Sequence, residues 1–307
     1  MREVAIIIAP LFLVIFVSAF IQKFKKVGKD WSDVLNSFAL NIGLPALIFL
    51  ALVKSPFNFL EKSDLIVVNS VFLLASFLLV YVLGKVLRFS KKLLRTLFIC
   101  FTFSNFAYLG LPVLTQVLGE QILPTAGLII AVYSFWLFTV GLGFLDYSNQ
   151  GIKKDVFKNV FRDLVRNPLL ISVFLGLLVA TLDITPPVII MKSVEMLAVS
   201  VTPVVLVVIG LFIGNTEIGK IKEWIPVTAF SAITLLALPA AFYYSVQLIG
   251  FSPEHFSASL IEVAMPLAIT PFALADKFNL EKKFIARSIV MSTILSALTI
   301  PFWISLV

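Results

Sequence analysis

"TFSNFAYLGLPVL", Thr102 to Leu114, sits in the middle of an apolar run long enough to cross a bilayer. An Asn, a Gly and a Pro at that depth pose a physical problem, because hydrocarbon offers no partner to a freed backbone group. Proline removes a backbone donor and clashes with the carbonyl four residues earlier. Pro112, together with Pro266 and Pro271 of "AMPLAITPFALADKF" (Ala264 to Phe278), is therefore expected to free backbone groups at mid-length in two spans. Broken helices are tolerated in a membrane only where protein or a water-filled cavity meets them. The two stretches should then face each other at the centre, presenting half-helix N-termini that favour an anionic group. Ser104 and Asn105 add neutral donors and acceptors beside the first break, and Met265 and Thr270 flank the second. Ordinary proline kinks, with Asn as glue between helices, are the competing reading.

Composition supports this frame. With 60% hydrophobic residues, 13% charged and a mean hydropathy of +1.06 over 307 residues, the apolar surface exceeds what a soluble fold can hide. One Cys (Cys100) excludes a disulfide framework and a Cys-based metal site, and one His (His255) removes most histidine chemistry. Cutting at charged and Pro/Gly-rich breaks gives ten apolar runs, approximately 3–22, 33–53, 64–84, 95–118, 124–146, 167–183, 189–214, 225–250, 257–276 and 285–306. The first is too long for a signal-peptide core and is read as a retained helix.

Basic residues orient the spans. The loops after spans 1, 3, 5, 7 and 9 hold Lys23, Lys25, Lys26, Lys29, Lys85, Arg88, Lys91, Lys92, Arg95, Lys153, Lys154, Lys158, Arg162, Arg166, Lys220, Lys222, Lys277, Lys282, Lys283 and Arg287, which is 20 of the 24 Lys and Arg. Arg2, Lys54, Lys62 and Lys192 lie on the other side. This bias predicts cytoplasmic odd loops and both termini outside an inner or plasma membrane. The net charge of +7 is thus a topology signal, and no nucleic-acid partner is implied. In the loop "IKKDVFKNVFRDLVRN", Val156, Phe157, Val160, Phe161, Leu164 and Val165 recur at helical spacing opposite the basic residues, as in a helix lying on the bilayer surface.

That loop divides ten spans into five and five, giving units 1–150 and 167–307 joined by a connector, 151–166. An odd number reverses the second half, so a shared fold makes the halves an inverted repeat. "LNIGLPALIFLAL" in span 2 aligns with "AVSVTPVVLVVIGL" in span 7 on Pro45 and Pro203, and spans 4 and 9 are both interrupted at mid-length.

In this order, "NIGLPALIFLAL", "SNFAYLGLPVL", "RNPLLISVFLGLLVA" and "AMPLAITPFALADKF" resemble the auxin efflux carrier family of permeases, whose bacterial members are often described as malate or malonate permeases. The resemblance spans the whole chain. It implies an all-α fold like that of the bile acid:sodium symporters, with a scaffold domain, a transport domain, and spans 4 and 9 crossing beside an anion site. By motif position, Asn105, Gly110 and Pro112 match the span 4 break, Pro266 matches the span 9 break, and Asn41 and Pro45 match a scaffold motif. The chain lacks the long cytoplasmic loop of plant members, which argues against auxin itself as substrate.

The remaining features give further expectations. Glu262, one turn before Pro266, and Glu195 are the intramembrane carboxylates best placed for proton or ion coupling, with a carboxylate facing interfacial water as the alternative. "GLFIG" (Gly210 to Gly214) offers either a homodimer face or close packing within one subunit. Tyr133, Ser134 and Trp136 either line a cavity or anchor the interface. No HExxH, central Asp pair or Ser with an intramembrane His is present, so hydrolase chemistry and cofactors are not expected. The expectation is a carrier for a small organic anion in the lipid bilayer, driven by membrane potential, with a coupled symporter and a channel as alternatives.

Overall fold

The computed structural model describes residues 2–24, 27–28, 30–54, 62–150, 161–217 and 219–307. Among them the chain is all-helical, and its extended pairing is confined to an isolated antiparallel bridge between Ser104 and Leu267. Among the described residues, seven helices are long and apolar enough to cross a membrane: α1 (Arg2–Lys23), α2 (Asp30–Lys54), α3 (Ser63–Val86), α6 (Glu120–Ser148), α8 (Val188–Asn215), α9 (Ile221–Leu248) and α12 (Lys282–Ile304). The shorter apolar α7 covers Pro168–Thr181. Two segments are interrupted: α4 (Lys91–Cys100) precedes α5 (Phe106–Leu118), and α10 (Ser257–Val263) precedes α11 (Thr270–Leu274). The amphipathic pattern falls largely on 151–160, outside the described residues, while 161–165 are helical.

Packing gathers the helices into two groups, which touch where α6 meets α2 and α7 and where α1 meets α12. In one, α1 runs along α8, and α2 packs against α7 and α8. In the other, α3 pairs with α6, α9 with α12, and α10 packs against both α9 and α12. The GxxxG pair decides the closest approach in the first group. A Cβ on Gly210 would lie 2.3 Å from the Ile15 carbonyl oxygen, and one on Gly214 would lie 2.4 Å from that of Ala19. This face is filled by α1 of the same chain, so it is not a homodimer surface.

Proline acts differently from the sequence expectation. Three helices contain a five-residue π-turn placed directly before a Leu-Pro pair: Ala39–Gly43 before Pro45, Phe106–Gly110 before Pro112, and Ile233–Ala237 before Pro239. Bonds such as Leu44 N–H to the Ala39 carbonyl and Leu111 N–H to that of Phe106 span five residues. The wider turn gives the proline ring room and absorbs the missing donor, so the helix continues. Pro112 therefore does not break its span. The interruption lies earlier, between Cys100 and Phe106, where the chain leaves helical geometry. Pro266 does lie inside the second interruption, and Pro271 occupies the first turn of α11, where a missing N–H costs least.

Candidate binding cavity at the crossing of the interrupted segments

The two interruptions satisfy each other's backbone. The Asn105 N–H donates to the Pro266 carbonyl at 2.7 Å, and the Ala268 N–H donates to the Phe103 carbonyl at 3.0 Å, on either side of the Ser104–Leu267 bridge. A third donor, Leu267 N–H, reaches Ser292 Oγ of α12 at 3.1 Å. On the α5 side, the Asn105 carbonyl accepts from Leu109 N–H at 3.2 Å and Gly110 N–H at 3.0 Å. Unwound backbone is stable here because protein supplies the partners that hydrocarbon lacks.

A cavity of about 370 Å³ opens beside this crossing. Ser104, Asn105 and Thr270 from the two interruptions form part of its wall, joined by Asn36 and Asn41 from α2, Ser134 and Phe138 from α6, and Arg166 and Asn167 before α7. Phe103 and Phe106 add apolar wall. Asn105 is only 4% exposed, and its side-chain amide makes no hydrogen bond to another described residue. Tyr108 is oriented by its hydroxyl, which donates to Asn36 Oδ1 at 2.6 Å.

Two helix N-termini meet the cavity. α5 begins at Phe106, and Phe106, Ala107 and Tyr108 of its first turn lie in the wall. α7 begins at Pro168, where Asn167 Oδ1 caps the helix by accepting from Leu169 N–H at 2.9 Å and Leu170 N–H at 3.3 Å. Helix N-termini carry partial positive charge, and at α7 this dipole acts alone, because its first N–H groups are taken up by Asn167. With the Arg166 guanidinium in the same wall they favour a negative group, and the Asp163 carboxylate there limits the excess positive charge.

Other residues singled out in the sequence fall elsewhere. Pro266 contributes its carbonyl to the crossing, whereas Met265 is buried away from the cavity wall. Pro45 lies in α2 beyond the wall formed by Asn36 and Asn41. Tyr133 lies behind the crossing, where its hydroxyl donates to Asn69 Oδ1 at 2.9 Å and Asn69 Nδ2 donates to Ser259 Oγ at 2.8 Å. Glu262 is 0% exposed, and neither carboxyl oxygen has a hydrogen-bond partner among the described residues. It packs under Gly110, where a Cβ would lie 2.3 Å from Glu262 Oε2. This overturns the alternative in which Glu262 faces interfacial water. Glu195 is separate, pairing with Lys54 at 2.7 Å in another cavity of about 400 Å³. Asn36, Tyr108, Arg166 and Asn167 escaped sequence reading as site residues. "RNP" at 166–168 carries a helix-start signal for Asn167, but nothing local joins Asn36 to Tyr108, 72 residues away.

A helical membrane protein whose interrupted segments cross beside such a cavity is built as a transporter, not an enzyme. The chain belongs to the auxin efflux carrier family: a family model described as "Membrane transport protein" matches residues 4–304. An uncharacterized transporter of Methanocaldococcus jannaschii is 27% identical over 300 residues, 95% of this chain and 94% of that one. A putative malonate transporter of Rhizobium meliloti is 22% identical, covering 98% and 94%. Auxin efflux carrier component 7 of Arabidopsis thaliana is 23% identical over 152 residues, covering 48% of this chain and 25% of that protein.

Proposed function

We propose that this chain is a secondary carrier exporting a small monovalent organic anion through alternating access of the crossing site. The observation that carries this reading is the convergence, in one cavity, of the buried Asn105 amide, which no described residue bonds, the N-termini of α5 and α7, and Arg166. These are neutral donors, helix dipoles and a cation, a combination that recognises a carboxylate without a metal. The name of the malonate-transporter relative supports an organic anion as cargo.

In this reading α1, α2, α7 and α8 form the scaffold. The interrupted segments move with α3, α6, α9 and α12 as an elevator. Ten spans, counting α4/α5 and α10/α11 as one each, then form a five-plus-five inverted repeat. The side rich in Lys and Arg faces the cytoplasm of an inner or plasma membrane, with both termini outside. Because Arg166 and Asn167 line the cavity, it opens toward that side. An anion leaving a negative-inside cell gains about 2.3 kcal/mol per 100 mV, so export needs no coupling ion.

Ion coupling is the second reading, and the unpartnered, wholly buried Glu262 is the observation that favours it. Proteoliposomes separate the two. Under uniport, uptake of a candidate organic acid follows an imposed potassium diffusion potential at equal pH without sodium, and Glu262→Gln changes the pH dependence more than the maximal rate. Flux that ignores the potential, requires a sodium or pH gradient and vanishes in Glu262→Gln replaces the uniporter with a symporter.

A further inference from the structure

A second cavity, of about 400 Å³, lies away from the crossing between the end of α8 and the start of α12. Lys282, Lys283 and Arg287 of the first two turns of α12 line it, opposed within the wall by Glu217 alone. Arg287 is held in place: its side chain is 9% exposed, and Nη2 lies 2.7 Å from Glu223 Oε2. The backbone folds closely over it. Gly219 adopts φ +66°, and a Cβ there would meet Arg287 Nη2 at 2.0 Å, so the turn needs glycine both for its conformation and for this contact. A guanidinium carries five donors, more than a single carboxylate occupies. Lys282 pairs with Asp276 and lies 5.1 Å from the Phe272 ring centroid, and Phe272 meets Phe212 of α8 edge to face at 5.0 Å.

The surroundings locate this cavity at the bilayer surface. Next to it, the turn Ile221–Trp224 interleaves Lys220 and Lys222 with Ile221, which is 87% exposed, and with Ile225 at the start of α9, 70% exposed. Isoleucines this exposed on a membrane protein belong in lipid, and the lysines beside them belong at headgroup level. Segments 217–225 and 276–287 carry Lys220, Lys222, Lys277, Lys282, Lys283 and Arg287 against Glu217, Glu223, Asp276 and Glu281, leaving positive charge in excess.

We infer that this cavity binds a phosphate group, and that the phosphate belongs to an anionic lipid headgroup. Three basic side chains on one wall, one of them the rigid Arg287, suit a tetrahedral oxyanion. Anionic lipid is also the phosphate source concentrated at that depth. Since α8 belongs to the first packing group and α12 to the second, an occupant bridges the two. This inference is independent of the cargo and of the driving force.

The test uses the full chain in nanodiscs of phosphatidylglycerol or phosphatidylcholine, with lipid retention read by native mass spectrometry and stability by thermal unfolding. Wild-type protein should retain phosphatidylglycerol and unfold at a higher temperature in it than in phosphatidylcholine. Lys282→Gln/Lys283→Gln should weaken retention on the order of tenfold and remove most of that difference. Because Arg287→Gln removes the partner of Glu223 and with it a contact that holds the turn, the lysine pair carries the decision. Inorganic phosphate added in detergent separates the sources. Stabilisation by phosphate alone, lost in the double variant, keeps the phosphate site but overturns the lipid assignment. An undiminished phosphatidylglycerol preference in the double variant overturns the site itself.

Discussion

Substituting Gly110 tests the contact that joins α5 to α10 at the crossing. An added Cβ lies 2.3 Å from Glu262 Oε2 and 2.9 Å from Cδ, far inside van der Waals contact. The obstructing atoms are the end of a flexible side chain, which ordinarily swings aside at small cost. Here Glu262 is 0% exposed, so displacing it disturbs packed neighbours. Overpacking of this kind costs about 1–3 kcal/mol. For Gly110→Ala this corresponds to a fall of roughly 2–6 °C in unfolding midpoint. The decisive experiment is a double-mutant cycle. Glu262→Ala removes the carboxyl and opens space for the new methyl, so Gly110→Ala in that background should cost less than about 0.5 kcal/mol. Thermal unfolding of the four proteins in one detergent measures the coupling. An equal drop in both backgrounds would refute the claim that Gly110 is small in order to seat Glu262.

Three other outcomes follow. Asn105→Ala should weaken binding of the transported acid by roughly 1–3 kcal/mol, the cost of a buried hydrogen bond left unmade, with little change in stability, since no described residue bonds that side chain; scintillation binding on monodisperse protein measures it. Cysteine at Lys283 should be labelled only after the cytoplasmic face is opened, and cysteine at Val307 from outside, with the native Cys100 buried and unreactive; the reverse pattern would defeat the orientation. Gly210→Val should destabilise the chain by at least 1 kcal/mol through its clash with the Ile15 carbonyl, without altering oligomeric state in size-exclusion chromatography with light scattering.

Much of the architecture is legible residue by residue because hydropathy and charge are local. Long apolar runs must be helices when no water is present to satisfy the backbone, and the clustering of Lys and Arg separates one set of loops from the other. The interrupted segments announce themselves through Asn, Gly and Pro at mid-span. Their exact geometry does not. Proline chemistry alone places the first break at Pro112, whereas the π-turn Phe106–Gly110 absorbs that proline and the chain unwinds at Phe103 to Asn105. Which break a helix adopts depends on the partner available. Here Pro266 and Ala268, more than 160 residues away, complete the backbone hydrogen bonds, and no local signal encodes that distance. The same holds for side chains. Glu262 and Glu195 look equivalent as isolated carboxylates in apolar sequence. Packing buries the first beneath Gly110 and pairs the second with Lys54. Asn36, Tyr108, Arg166 and Asn167 join Asn105 only because α2, α5 and the start of α7 converge on one cavity. The sequence by itself determined a helical membrane protein with two interrupted spans; the tertiary structure decided which groups meet there, since pairing in three dimensions follows from packing that no single segment contains.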